Sequence, residues 1–223
     1  VTSKILALDT TNEFGSLALV RGDEVVAELP MHSAEGFGHL LFGRIAAILK
    51  NAGWNLAEID CFAAAAGPGS FTGVRVGLSA AKGLAEALGK PAAAVSNLEA
   101  IAWHGTARLR AAVIDARRGQ IYGAVYDSGL GEVSPETVAA FPAWLATLPE
   151  GDLQFLSTDC SVFRAALAGT RFEKSPVLDV PRALAGAIGC IAAGRLRAGE
   201  TGDPAALDAN YVRRSDAELF WRE

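Results

Sequence analysis

An apolar run from Lys4 to Leu8 ends in Asp9 and gives way to the polar turn Thr10-Thr11-Asn12. Apolar positions resume from Phe14 to Val20, break at Arg21-Gly22-Asp23 and return from Glu24 to Leu29. Runs of this length and period predict three strands joined by tight turns. The spacing then changes to three and four. Leu41, Ile45, Ile48 and Ala52 share one helical stripe, with Phe42, Ala46 and Leu49 beside it, so a helix is expected from about Gly38 to Ala52, closed by Gly53. Phe62 to Ala66 reads as a strand, Thr72 to Leu88 as a second helix and Ala92 to Val95 as a short strand.

Roughly a hundred positions after its start, the pattern begins again. Arg110 to Ile114 is an apolar strand ending in Asp115, Ala116-Arg117-Arg118-Gly119 is a turn, and Gln120 to Tyr126 is the next strand. Asp127-Ser128-Gly129 answers Arg21-Gly22-Asp23. The second half then weakens, with helices at Pro142–Leu148, Ser161–Ala168 and Pro181–Arg197, a strand at Leu153–Ser157 and no glycine-rich loop. A linker near Trp103 to Arg108 would divide the chain into residues 1–105 and 106–223. Two βββαβα-type halves, the second degenerate, each with an aspartate on its first hairpin, have the layout of the actin, sugar-kinase and Hsp70 ATPase superfamily. The expected class is therefore α/β, a duplicated ribonuclease H-like, actin-like ATPase (ASKHA) fold. In that superfamily facing hairpins clasp a nucleotide's phosphates and metal. The layout alone leaves kinase, ATPase and degenerate scaffold open.

Composition narrows the classes. The chain has 223 residues, 51% of them hydrophobic, enough to bury a sizeable core. Its net charge of -5 argues against gripping nucleic acid over a broad face unaided. The best membrane candidate, Ala183 to Gly194, is about half the ~20 apolar residues a span needs. Lys4, Asp9 and Glu13 interrupt the region where a signal peptide would be apolar, so the expectation is a soluble, cytoplasmic protein. Cys61, Cys160 and Cys190 form no CxxC pair and read as buried thiols. No Ser-His-Asp or Cys-His set assembles from spacing.

The most informative stretch is Gly67-Pro68-Gly69-Ser70-Phe71-Thr72-Gly73-Val74-Arg75-Val76-Gly77. A strand, a Gly-Pro turn and a helix start bring backbone N–H groups to one point, as in an anion nest or a tight docking loop. It is not a Walker A loop, because no lysine follows at the required spacing. Gly73, Gly77, Ala81 and Ala85 recur every four residues, so one stripe of the helix is nearly bare. Arg75, Ser79, Lys82 and Glu86 make a narrow polar stripe, and the rest, Val74 and Leu78 included, is apolar. Burial on two sides follows. One side would be the helix's own sheet and the other a partner subunit, or else the second domain. Arg75 in the first turn is disfavoured by the helix dipole unless a carboxylate or phosphate is near. Asp9 with Thr10, and Asp115 opposite, could hold a metal-bound phosphate; equally, each aspartate could cap its own turn.

Ile5-Leu6-Ala7-Leu8-Asp9-Thr10-Thr11, the Gly67–Gly77 run, and Ile114-Asp115-Ala116-Arg117 with Gly119-Gln120-Ile121-Tyr122 resemble the TsaB (YeaZ) family. These are glycoprotease-like, peptidase M22-homologous proteins of bacterial tRNA threonylcarbamoyladenosine biosynthesis. The closing Ala209-Asn210-Tyr211-Val212-Arg213 is similar to the family's Pro-x-Tyr-Leu-Arg, with alanine for proline and valine for leucine. The resemblance implies a non-catalytic subunit, without cofactor or metal, that binds TsaD through its N-terminal helices. TsaD is the metal-bearing subunit that transfers threonylcarbamoyl from an adenylate to N6 of the adenine beside the anticodon. TsaE would join the pair, tRNA would be met only through the complex, and the lone chain would pair with itself. Asp9, Thr10 and Asp115 become relics of a phosphate clasp.

Leu41, Ile45, Ile48, Gly73, Arg75, Gly77, Leu78 and Ala81 are the expected interface, and a leucine at Gly77 is expected to block association while sparing the fold. TsaD's His-x-x-x-His metal spacing occurs nowhere in the chain, and Gly186, Gly189 and Gly194 fall in a predicted helix rather than in an adenosine-binding turn. The alternative is an active magnesium-dependent nucleotide hydrolase or kinase using Asp9 and Asp115; a zinc peptidase is a third.

Overall fold

The computed structural model describes residues 2–212, so Arg213 of the closing motif lies outside them. The chain forms two compact units. The first runs to Asn97 and also takes in Arg182–Asn210. It contains β1 (Lys4–Asp9), β2 (Phe14–Arg21), β3 (Glu24–His32), α1 (Leu41–Ala52), β4 (Cys61–Ala65), α2 (Phe71–Leu88) and β5 (Ala92–Val95), in a sheet of order β3-β2-β1-β4-β5. The first three strands are antiparallel; β4 and β5 run parallel to β1.

Strand β4, and β1 between Lys4 and Asp9, are apolar because both sheet faces are covered. Leu6 lies opposite Leu19 and Phe62, and Leu8 opposite Leu17 and Ala64. This row forms one core with Leu41, Ile45 and Ile48 of α1 and Val74, Leu78 and Ala81 of α2. Helix α1 ends at Gly53, whose φ of 66° is a left-handed value that glycine adopts without strain. The alternate row places Ala7 opposite Ala18 and Ala63. Over it lies the last α-helix of the described chain, Ala185–Ala198, in which Ala185 through Ala193 are all buried. Its approach is close. A Cβ on Gly189 would sit 2.5 Å from Val20 Cγ2 and 3.3 Å from Ala7 Cβ.

Leu98–Pro181 makes the body of the second unit. Helix α3 (Asn97–Trp103) leads into it, followed by β6 (Leu109–Arg117), β7 (Gln120–Asp127), β8 (Glu132–Ala140), α4 (Phe141–Thr147), β9 (Leu153–Ser157) and β10 (Val177–Asp179). The Ala185–Ala198 helix is accordingly α5. The second sheet has order β10-β9-β6-β7-β8, so each sheet orders its strands third-second-first-fourth-fifth. The expected duplication and fold class are present. Aromatic rings fill the second core: Phe141 and Phe163 stand 5.1 Å apart, Phe155 and Phe172 5.5 Å. No helix among the described residues is long and apolar enough to cross a membrane.

Three sequence expectations need correction. The boundary between 105 and 106 fails because neither unit is a continuous half: α5, assigned by sequence to the second half, belongs to the first unit, and the second unit begins at Leu98, within a short helix that ends where the expected linker starts. The helix expected at Ser161–Ala168 is two 3-10 turns, Cys160–Val162 and Arg164–Leu167. Phe163 between them has φ -136°, outside the helical range. Strand β6 does not stop at Asp115 but continues to Arg117.

Gly189→Leu is expected to lower stability by about 3 kcal/mol through overpacking against Val20. Gly194→Ala, on a stretch of the same helix where a Cβ meets nothing within 4 Å, should be neutral or raise stability by up to ~1 kcal/mol. Urea denaturation of both variants checks the contrast.

Candidate functional site

Phosphate recognition needs N–H and O–H donors that point into open space. At the β1–β2 hairpin those donors are used inside the chain. Thr11 N–H and its hydroxyl donate to Asp9 Oδ1 at 2.9 and 2.7 Å. The Thr10 hydroxyl donates to the Gly73 carbonyl at 2.7 Å. Ser70 N–H donates to the Thr11 carbonyl at 2.6 Å. Helix α2 begins here, its Gly73 N–H capped by Ser70 Oγ.

Close approach explains the bare stripe. A Cβ on Gly73 would overlap the Thr10 carbonyl oxygen, and one on Gly77 would lie 2.6 Å from Thr10 Oγ1. The stripe is filled by the chain's own hairpin rather than left for another subunit. The expectation for Gly77→Leu is corrected with it: the side chain would strike Thr10 and damage the fold itself. Of the groups that could meet a phosphate here, the Thr10 hydroxyl bonds α2 and the Thr11 N–H and hydroxyl bond Asp9.

Asn97 completes the arrangement, and the sequence reading missed it. Its Nδ2 donates to Thr11 Oγ1 at 2.9 Å, while its Oδ1 accepts from Gly67 N–H at 3.1 Å. Its own N–H donates to the Gly67 carbonyl at 2.8 Å, and the Gly67–Pro68 peptide is cis. The available signal was Ser96-Asn97 directly before Leu98-Glu99, a helix-start pattern in a stretch lacking a motif.

Asp9 and Thr10 are buried. Asp9 Oδ2 has no hydrogen-bond partner, and burial raises the carboxyl's pKa above its usual value against the opposing bonds from Thr11 and Asn97. Strand register puts Asp9 opposite Ser16, on the face that α5 covers. There Ala185 N–H donates to Ser16 Oγ at 3.0 Å and Gly186 N–H to Glu28 Oε1 at 2.7 Å. Burial also raises the pKa of Glu28; the Gly186 N–H opposes the shift and the charge of Asp9 adds to it. Asp115, in the second unit, is half-exposed. It accepts the Arg117 N–H at 2.8 Å and pairs with the Arg117 guanidinium at 3.4 Å, so it closes its own turn.

Of the expected interface, Leu41, Ile45, Ile48, Leu78 and Ala81 are core residues of the first unit, and Gly77 is buried with them. They cannot meet a partner directly. Their stripes are the sheet-facing sides of α1 and α2. Gly73 is half-buried, and Arg75 is exposed with its guanidinium 3.7 Å from the centre of the Phe71 ring. What these helices turn outward is Phe42, 59% exposed, with Gly43 and Ala46 on α1, and Phe71, 41% exposed, with Ser79, Gly83 and Ala87 on α2.

Among the described residues no three His, Cys, Asp or Glu side chains converge to hold a metal. Burial pushes the thiols of Cys61 and Cys160 up to about 12 and that of Cys190 to about 11, so all three are protonated and poorly nucleophilic.

The family model for TsaD, tRNA N6-adenosine threonylcarbamoyltransferase, matches residues 29–165. The tRNA threonylcarbamoyladenosine biosynthesis protein TsaB of Bacillus subtilis is 33% identical over 98% of this chain and 98% of its own. A Pseudomonas aeruginosa crystal structure, of a protein with similarity to peptidase YeaZ, matches with a TM-score of 0.80 and 27% identity, over 95% of this chain and 100% of that one. Component A of (R)-2-hydroxyglutaryl-CoA dehydratase from Acidaminococcus fermentans matches with a TM-score of 0.56 at 9% identity, over 87% and 99% of the two chains, a likeness of fold alone.

Asp9 and Glu28 both have raised pKa values, so the native state holds their protons more tightly than the unfolded chain. Their contribution is greatest below the unfolded values of 3.8 and 4.5 and is lost as pH rises through the folded ones. Asp9→Asn keeps the acceptor for Thr11 and removes the charge. It should raise stability above neutral pH by about 1 kcal/mol or more and flatten the fall in stability from acid to neutral pH. Urea denaturation across that range checks both.

Proposed function

Because the chain belongs to the TsaB (YeaZ) family of tRNA threonylcarbamoyladenosine biosynthesis proteins, we propose that it serves as a non-catalytic subunit that binds and stabilises TsaD. In this reading the assembled pair recruits TsaE, and the lone chain dimerises through the same surface. One observation carries the reading. In the first hairpin, where the fold's relatives in the actin-like superfamily hold phosphate, the Thr10 hydroxyl is bonded to α2, while the outer side of α1 carries the exposed Phe42 beside Gly43 and Ala46 and that of α2 the exposed Phe71 under Arg75.

Phe42 is the natural anchor of that surface, being a large exposed aromatic beside Gly43 and Ala46, which let another helix come near. Phe71 with Arg75 stacked on it forms a second, and an arginine over an aromatic ring is a frequent interface pairing. The interface therefore shifts outward by one helical face from the residues that the sequence pattern selected.

The alternative, a magnesium-dependent nucleotide hydrolase or kinase, is favoured by a single feature, the unpartnered buried Oδ2 of Asp9. Titration calorimetry with ATP and magnesium separates the two. Micromolar binding lost in Asp9→Ala would support the alternative, and no heat would support the scaffold.

Phe42→Glu with Ala46→Arg should weaken capture of TsaD by at least about 30-fold, the ~2 kcal/mol of a hot-spot loss, and leave the melting temperature within about a degree of wild type, since exposed substitutions cost little. Co-purification and thermal melts measure this. Unchanged capture would remove the surface from consideration.

A further inference from the structure

Arg44 is the fourth residue of α1, in the first turn, where the helix dipole disfavours a cation. That turn holds no acidic residue, and its N-cap makes no side-chain hydrogen bond. Arg44 is exposed, and its N–H donates to the Leu40 carbonyl at 3.0 Å. Its side chain enters none of the ion pairs or ring contacts among the described residues. Lys50, in the last turn of the same helix, is exposed too, and there the dipole favours it. The fold therefore accounts for Lys50 and leaves Arg44 in an unfavourable place.

The two cations belong to a wider asymmetry. The chain has 25 acidic and 20 basic residues, yet between Glu35 and Glu86 its only acidic residues are Glu58 and Asp60. Both lie between α1 and β4 and are engaged there. Glu58 pairs with Lys4 Nζ at 2.9 Å; Asp60 accepts the Lys4 N–H at 2.8 Å and pairs with Lys90. On α2, Arg75 is stacked on Phe71, and Lys82 Nζ donates to the Ala205 carbonyl at 3.3 Å. Arg44 and Lys50 are the charges that α1 exposes together with Phe42, Gly43 and Ala46. An excess of one sign on the helix face of an acidic chain fits a partner of the opposite sign.

We infer that Arg44, supported by Lys50, selects what docks on α1: it pairs with a carboxylate on an apolar helical face of TsaD and repels a second copy of this chain. The choice of TsaD rests on the proposed function. A carboxylate beside Arg44 would also offset the dipole penalty. Across a two-fold contact the same patch meets itself, so Arg44 and Lys50 of both copies crowd together. Like charges brought together at an interface disfavour it. The carboxylate that a second copy could offer instead is Glu86, exposed near the end of α2 and the only acidic residue of that helix.

Wild type, Arg44→Gln/Lys50→Gln and Arg44→Lys are compared. Self-association is measured by sedimentation equilibrium and TsaD affinity by biolayer interferometry, each at low and high KCl. At low salt the glutamine pair should bind TsaD about fivefold more weakly and itself about threefold more tightly. High salt should shrink both differences. The exchange makes an acidic chain more acidic, so tighter self-association cannot arise from overall charge. Arg44→Lys keeps the charge and should match wild type in both. All three proteins should melt within about a degree of one another, glutamine and lysine being good helix formers at exposed positions.

Three results would overturn this selection. One is weaker binding of the glutamine pair both to TsaD and to itself, which would mean that Glu86 of a second copy pairs with Arg44. The others are no change in either at low salt, and a chain that stays monomeric in every variant. A lower melting temperature for the glutamine pair would make the cations structural and overturn it too. If wild type does not bind TsaD, the proposed function fails, and self-association of the glutamine pair still decides whether the cations keep a second copy away.

Discussion

At Gly73 and Gly77 of α2 no helix side chain fits against the β1–β2 hairpin, and the first unit is arranged around that contact. Gly73 and Gly77 bring the helix backbone onto Thr10, Thr10 hydrogen-bonds into the helix, and Asn97 ties Thr11 to the Gly67 loop. Glycine inside a helix costs ~1 kcal/mol relative to alanine, and here direct contact between two backbones offsets it. The Thr10 hydroxyl and the Thr11 N–H and hydroxyl, donors that could face a phosphate, are bonded within the chain.

On the opposite face of the same sheet the N-terminal turn of α5 meets Ser16 and Glu28, with Asp9 in the neighbouring row. The positive end of a helix dipole favours acidic groups. It eases the burial of Glu28, whereas Asp9 keeps one oxygen without a partner. A carboxylate held this way opposes stability at neutral pH. Among the described residues of the first unit only Ser3 Oγ shares with Asp9 Oδ2 the state of a buried side-chain oxygen without a hydrogen-bond partner.

The sequence displayed the first sheet well and three strands of the second, while β8 and β10 were not read from it. Ala92–Val95 and Leu153–Ser157 stand where periodicity put them, and the duplication was visible in two strand-aspartate-turn units. The bare stripe of α2 was equally visible, but its occupant was not. Spacing shows that some backbone must come close and carries no information about which one. The residue that does so, Thr10, is 63 positions away in sequence from Gly73. The same gap misplaced α5. A helix that is apolar on all sides announces burial without saying on which sheet, and its place in the chain suggested the wrong one. Leu41, Ile45 and Ile48 read as spare surface because a wide apolar arc looks alike whether one side or two are covered. Only the fold shows that the outer part begins at Phe42.

Since the first sheet is finished by a helix from the far end of the chain, it cannot be finished early. During translation every strand of the first sheet is made before α5. Until then Ala7, Ala18 and Ala63, the row that α5 covers, are open to water or to a chaperone. One face of the first sheet is thus closed only once α5 has been made.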